Sequence, residues 1–307
     1  MTGALVTAAL ITGALLLVLV VPHALARQEQ LRTVPAQALL LWQSVSLTGV
    51  ALALLAAPVA AATFGTDRPG LLAAALLVSG LMLARVLWSG HRIGIDLRRR
   101  RARQRELVDL VGERIKHRRP RQHRPHPRDA VTVIAHANPT AYCLPGRGDR
   151  IVLSQAAVDR LAPEELGAVL AHEHAHLLHR HDLLLELFTV LHETVPQRIR
   201  SQAALQEVHL LTEVLADRRA AQEAGHTVLA RALVAMATPA PTTTPSPDAS
   251  PDPRLDGALR ATGGHAQVKV RLRVLAAEPA PRWFATSLVA AAGTLLLVPV
   301  LLLLPLI

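Results

Sequence analysis

Apolar residues in this chain are gathered into four long runs, and that distribution limits the fold more than any other feature. Three runs come early, at about residues 4–21, 36–62 and 71–88, and a fourth covers 284–307. Each is near or above the ~20 residues that carry a helix across a ~30 Å hydrocarbon core. The chain therefore reads as a mostly α-helical membrane protein with about four transmembrane helices. A fifth apolar stretch, residues 183–190, is too short and too flanked by acids to span. Ala24-Leu25-Ala26 behind the first run fits a signal-peptide cleavage site. No basic residue precedes that run, however, and further spans follow it, so it is read as a retained helix. Trp88 and Trp283 fall at the edges of runs, where interfacial anchors belong.

The basic residues orient the spans. Arg98, Arg99, Arg100, Arg101, Arg103 and Arg105 follow the third run, and more basic residues continue to Arg128. The loop between the second and third runs holds only Asp67 and Arg68, and the loop between the first two carries Arg27 and Arg32. An excess of arginine marks the cytoplasmic side, so the region between the third and fourth runs is expected in the cytoplasm. This gives a layout of three spans in 1–92, a basic juxtamembrane segment and soluble domain in 93–237, a linker in 238–253, a basic helical segment in 254–283 and a last span in 284–307.

The soluble region contains His172-Glu173-His174-Ala175-His176, an H-E-x-x-H pattern. On a helix this spacing puts two imidazoles one turn apart on one face, with a carboxylate beside them. Two neutral imidazoles so placed can share a zinc ion, and the glutamate can take a proton from the attacking water. Pro163, Glu164 and Glu165 suit a helix start. With no Gly or Pro from Ala168 through Val195, the helix is expected to run well past the motif. Asp182 stands ten residues after His172, and an unbroken helix would carry it about 15 Å along the axis, out of reach of the same ion. Glu213, on an apolar-periodic segment at about 203–224, is the better third ligand. Asp217 lies one turn further on the same face, where it can accept the outer N–H of a ligating imidazole. Read alone, Glu213 and Asp217 would be a solvated i, i+4 pair; the H-E-x-x-H helix favours the metal reading. His174, His179 and His181 are expected to decorate the helix. Tyr142, His209 and Arg218 are open candidates for transition-state stabilisation, with none singled out.

These residues bring a family into view. His172-Glu173-x-x-His176 followed by Glu213-x-x-Ala216-Asp217 resembles the membrane gluzincin metallopeptidases. The stretch from His176 through His179, Arg180, His181 and Asp182 is most similar to the BlaR/MecR-type family, with the HtpX-type peptidases as nearest relative. Residues 138–146 and 151–154 are similar to the strand pair that precedes the zinc helix in both. The resemblance covers roughly 130–275 and implies a zincin-like α+β domain with Zn2+ held by His172, His176 and Glu213, Glu173 as the catalytic base and Asp217 behind a ligand. It also implies a multi-pass cell-membrane endopeptidase that acts in signal transduction by cleaving a cytoplasmic DNA-binding repressor. HtpX-like quality control of membrane proteins is the alternative within the enzyme class, and a non-proteolytic signalling scaffold is the alternative outside it.

The net charge of +10 could suggest a nucleic-acid partner. Much of the excess follows a membrane run, where anionic headgroups account for it, and aromatics make up only 2% of the chain. The expected partners are therefore the lipid bilayer and a protein substrate, with no direct nucleic acid. Cys143, the single cysteine, excludes an intrachain disulfide and reads as a small buried strand residue. Residues 238–253 are rich in Pro, Ser and Thr and lack the apolar content to pack. Residues 265–277 read as a basic helix leading to the last span.

Overall fold

The structure is a computed structural model, and it describes residues 2–64, 69–115, 130–146, 148–198, 200–238, 265–278 and 280–304. Apart from Thr238, the linker at 238–253 lies outside these residues, as do Asp67, Arg68 and the basic residues from 116 to 128. The described residues are mostly helical with one small sheet, and the chain divides into two compact units that do not follow chain order. One unit comprises Met1–Leu97, Leu183–Leu211 and Glu278–Ile307, and the other Arg98–Asp182 and Thr212–Ala277.

The first unit is built from the apolar runs. Helix α1 (Thr2–Leu15) passes through a π-helical turn at Leu16–Val20 into α2 (Val21–Ala26). A 3-10 turn at Glu29–Thr33 leads to α3 (Pro35–Phe64). Val6, Leu10 and Ala14 of α1 bury against Leu52 and Val59 of α3. Gly13 leaves room for the Leu52 side chain, since a Cβ there would stand 2.9 Å from Leu52 Cδ1. The C-terminal helix, Arg282–Leu303, packs Ala292 against Leu41 and Val45 of α3, and Thr48 donates to the Leu295 carbonyl at 3.0 Å. Gly3–Ala26, Pro35–Phe64 and Arg282–Leu303 are each long and apolar enough to cross a membrane. The run at 71–88 lies in α4 (Pro69–Val111), a helix that continues through the arginine cluster. Trp88 and Trp283 are exposed, whereas Trp42 is buried and meets Phe188 edge-on at 6.1 Å. Arg32, in the loop after α2, makes a two-point pair with the buried Glu207 at 2.8 and 2.9 Å.

The second unit holds four strands, β1 (Glu113–Ile115), β2 (Ala130–Ile134), β3 (Ala141–Leu144) and β4 (Arg150–Ser154), in the order β1-β2-β4-β3. Strands β2 and β4 run parallel, with Val131 opposite Ile151 and Val133 opposite Leu153; β3 pairs antiparallel with β4 and forms an edge. Alternation sorts the side chains. Val131, Val133, Ala141, Ile151 and Leu153 face the helical core, while Ile134, Leu144 and Val152 pack with Val108 of α4. Ser154 ends β4 and caps α5 (Gln155–Arg160), its Oγ accepting from the amides of Ala157 and Thr140 at 3.0 and 2.9 Å. Helix α6 (Pro163–Leu178) starts where Glu165 accepts from the Ala162 amide at 3.1 Å, the N-terminal device its sequence announces. Leu166, Val169, Leu170 and Leu177 of α6 enter the core alongside Ala220 and Ala221 of α8 (Gln202–Ala224) and Leu229 and Leu233 of α9 (His226–Ala237). Helix α10 (His265–Ala276) adds Val268, Leu272 and Leu275, and the C-terminal helix is then α11.

The expected long helix through the motif is not one helix. It stops at Leu178, turns at His179 and Arg180, and restarts as α7 (His181–Thr194). Arg180 adopts a left-handed backbone at φ +51, the conformation in which helices commonly end, though usually at glycine. Lacking Gly or Pro, the sequence carries none of the usual marks of a break.

Candidate metal centre

The faces of α6 and α8 decide which polar groups meet. On α6, the i, i+4 spacing places His172 and His176 together, their ring centroids 4.9 Å apart. Their Nε2 atoms stand 3.2 Å apart. From α8, Glu213 brings one carboxylate oxygen to 3.5 Å from His172 Nε2 and the other to 3.5 Å from His176 Nε2. One ligand atom from each of the three lies within 4.8 Å of the others. Two nitrogens bound to one zinc at about 2.0–2.1 Å in tetrahedral geometry sit roughly 3.3 Å apart, so the donor set and its spacing fit that ion. Among the described residues, this is the group of histidines and carboxylates arranged to hold a metal, and Asp182 is not part of it; Asp182 pairs instead with Arg101 at 3.3 Å.

Each imidazole has a partner on its outer side. His172 Nδ1 lies 3.0 Å from Asp217 Oδ1. His176 Nδ1 lies 2.9 Å from Nδ1 of His181. His181 does not decorate a helix surface as expected: the turn at Arg180 folds it back under His176, where only 2% of it is exposed. His179 remains outside and stacks on it at 5.8 Å. His174 is half-buried, on a different face from the two site histidines.

Arg271 also belongs to this cluster, although no sequence motif marks it. It sits in the basic segment that reads as a helix beside the membrane, yet it is buried. Its guanidinium grips Asp217 through Nε at 2.7 Å and Nη2 at 2.6 Å, and Nη1 reaches Glu213 at 3.0 Å. A signal was available: Arg271 follows Val268 by three residues and precedes Leu275 by four, so it shares a face with apolar residues that pack into the core. Leaving Asp217 without this counter-charge would cost on the order of 3–5 kcal/mol, the penalty for breaking a buried pair by removing one partner.

The electrostatics follow from these contacts. Burial opposes charge on Glu213 and Asp217. The His172 contact and the Arg271 charge hold Glu213 well below the usual carboxylate range, and Arg271 does the same for Asp217. Burial also works against protonating His172, but Asp217 and then Glu213 outweigh it and raise its pKa; His176 is lowered by burial and by the charge of His172. Glu173, next to His172 and 8% exposed, behaves differently. Burial lifts its pKa to about 7, the neighbouring His172 charge opposing and the Glu213 charge assisting. The Cys143 thiol on strand β3 is itself held protonated by burial, and its proximity to Glu173 opposes the upward shift of that carboxyl. Tyr142 projects to the other sheet face, into the cluster around Val108; His209 is exposed and Arg218 half-buried.

A buried carboxyl with a raised pKa beside two imidazoles and a carboxylate, on a helix that packs against the edge strand β3, is suited to metal-assisted proton transfer. Residues 101–238 match the family described as Peptidase family M48. No curated protein and no solved structure matches the chain. The matched span includes α6, Glu213 and Asp217 and ends before the helix that carries Arg271.

Proposed function

We propose that the chain is a membrane-embedded zinc endopeptidase with four spans, its hydrolytic unit on the cytoplasmic side. The observation that carries this reading is the convergence of His172 Nε2, His176 Nε2 and the Glu213 carboxylate beside a Glu173 whose pKa is close to neutral. His172, His176 and Glu213 would hold the zinc ion, which would supply a Lewis acid for the scissile carbonyl and for water. Glu173, poised between acid and base near pH 7, takes the proton of the attacking water and returns it to the leaving amine. Asp217 and Arg271 hold the α8 side of the site. The free edge of β3 lets an extended substrate add as a further strand, bound mainly through its backbone and so with little demand on sequence.

Purified in detergent, the protein should contain about one zinc per chain, lost on His172→Ala and on Glu213→Ala. Metal held at full occupancy by Glu213→Ala would remove Glu213 from the ligand set. The cytoplasmic placement rests on the arginine cluster after the third run. A reporter active only in the cytoplasm should work when fused after Gly225 and fail at Asp67, and the reverse pattern would move the site outside.

The physiological role we propose, from the resemblance to BlaR/MecR-type proteins, is signal-dependent cleavage of a cytoplasmic DNA-binding repressor. The HtpX-type resemblance supports a quality-control role instead. Transcripts in wild-type and Glu173→Gln strains separate the two. A change confined to a few operons supports repressor cleavage, and accumulation of damaged membrane proteins without an operon-specific response supports quality control.

A further inference from the structure

We infer that His181 is a positioning residue for the metal centre: it accepts a hydrogen bond from His176 Nδ1 and so fixes the tautomer that turns His176 Nε2 toward Glu213 and His172. The inference rests on the metal reading above and adds a residue to it. The two ring nitrogens of a neutral imidazole have opposite roles, so a partner on one determines what the other offers. At 2.9 Å between the two Nδ1 atoms, one must donate and the other accept. If His176 Nδ1 donates, its Nε2 is left with a lone pair, and that atom is the one 3.5 Å from Glu213 and 3.2 Å from His172 Nε2. The opposite assignment would put a proton on His176 Nε2, pointing it into the group of ligand atoms.

Three further observations favour a built contact over an accidental one. The rings meet edge to face, 88° between planes with centroids 4.8 Å apart, which holds each in place. His181 is 2% exposed although neither flanking residue, Arg180 or Asp182, is buried, so the chain puts this side chain inside selectively. It gets there through the left-handed Arg180, and a non-glycine residue in that conformation persists where the surrounding structure demands it. The two site histidines thus differ in their outer partners: a carboxylate clamped by Arg271 for His172, and a second imidazole for His176.

The test is metal affinity, read by chelator competition on the full-length protein in detergent, with the visible spectrum of the Co2+-substituted form as a second readout. His181→Ala should weaken zinc binding about 10–100-fold, the usual effect of losing a ligand's outer partner, and should change the Co2+ spectrum. His181→Gln supplies a carbonyl oxygen that can accept from His176, and should recover most of the affinity and the wild-type spectrum. Arg180→Gly relieves the left-handed backbone and should leave both readouts intact, whereas Arg180→Ile, a β-branched residue forced into that conformation, should resemble His181→Ala. A metal-loaded wild type with unchanged affinity and spectrum in His181→Ala overturns this inference and leaves the ligand set standing. Equal loss in His181→Ala and His181→Gln at unchanged melting temperature overturns the acceptor role. A wild type that binds neither zinc nor Co2+ overturns the metal reading and this inference with it.

Discussion

In the unit of apolar helices, the most buried side chains are aliphatic, aromatic or hydroxyl-bearing, such as Leu10, Leu52, Trp42 and Thr48, and the buried carboxylate among its described residues is Glu207, met by Nε and Nη2 of Arg32. In the other unit His172, Glu173, Asp217 and Arg271 are all buried within one cluster. Removing a charge from water costs several kcal/mol per ion even after relaxation, and apolar residues of similar volume commonly stabilise as well or better. One bidentate pair can be understood as a device that ties a loop to a helix. Four ionisable groups in one place, with Glu173 facing burial and a neighbouring carboxylate that leave its pKa near 7, are a poor way to hold a fold together and a good way to prepare a proton acceptor. The contrast separates charge that supports structure from charge held ready for chemistry, and it can be broken at either end.

The largest effect is expected at Glu173. Glu173→Gln should lower peptide hydrolysis by about 10²–10⁴-fold or more, because it removes the base without removing a ligand, while zinc content by elemental analysis stays at the wild-type level. Unaltered hydrolysis would mean that the carboxyl is a structural group after all. Next come the two arginines. Arg271→Met strands Asp217 and Glu213 and should lower stability by about 3–5 kcal/mol, seen as an earlier thermal transition in detergent. Arg32→Met should cost less, because the Arg32 side chain keeps 14% of its exposure against 7% for Arg271. Equal losses would erase the distinction between the two units. Asp217→Asn keeps an oxygen near His172 but not the charge, and zinc affinity should fall about 10–100-fold by chelator competition.

The smallest effect lies outside the site. His192 is buried in α7, its Nε2 bonded to the Ser201 carbonyl at 3.1 Å, and burial lowers its pKa, with the nearby Arg200 charge adding to the shift. The neutral form is therefore favoured in the folded protein. This contribution is complete above the unfolded histidine value of about 6.5 and is lost as pH falls from there through the lower folded value. Melting temperature should drop from pH 7.5 to 5.5 more steeply in the wild type than in His192→Gln, and identical slopes would show that His192 does not report on the fold.

How much of the site was legible depends on the kind of residue. His172, Glu173 and His176 are neighbours within one helix, so a four-residue spacing suffices to put them on one face. Glu213 and Asp217 were also readable together, because two acids at i, i+4 on an otherwise apolar-periodic segment point the same way. The strand pair before α6 was expected from the family resemblance of residues 138–146 and 151–154, and β3 and β4 lie there. The break after Leu178 was not, because nothing in Leu178-His179-Arg180-His181 differs locally from a continuing helix. With the helix drawn straight, His181 falls on a surface. Arg271 was hidden for another reason: it lies among Lys269 and Arg273 in a segment whose charge has a ready explanation in lipid headgroups.

The sequence by itself therefore determined the elements and the chemistry each can offer: apolar runs long enough to span, a helix bearing two imidazoles and a carboxylate, and a second helix bearing two acids. Hydrophobic periodicity and residue type are local properties, carried by a few neighbouring positions whatever the rest of the chain does. Only the tertiary structure decided which of the remaining polar groups are buried with them. His181 reaches His176 through one left-handed residue, and Arg271 reaches Asp217 and Glu213 from 54 positions beyond Asp217. Such contacts depend on how elements pack, and packing compensates a buried charge from wherever in the chain a partner can be brought close.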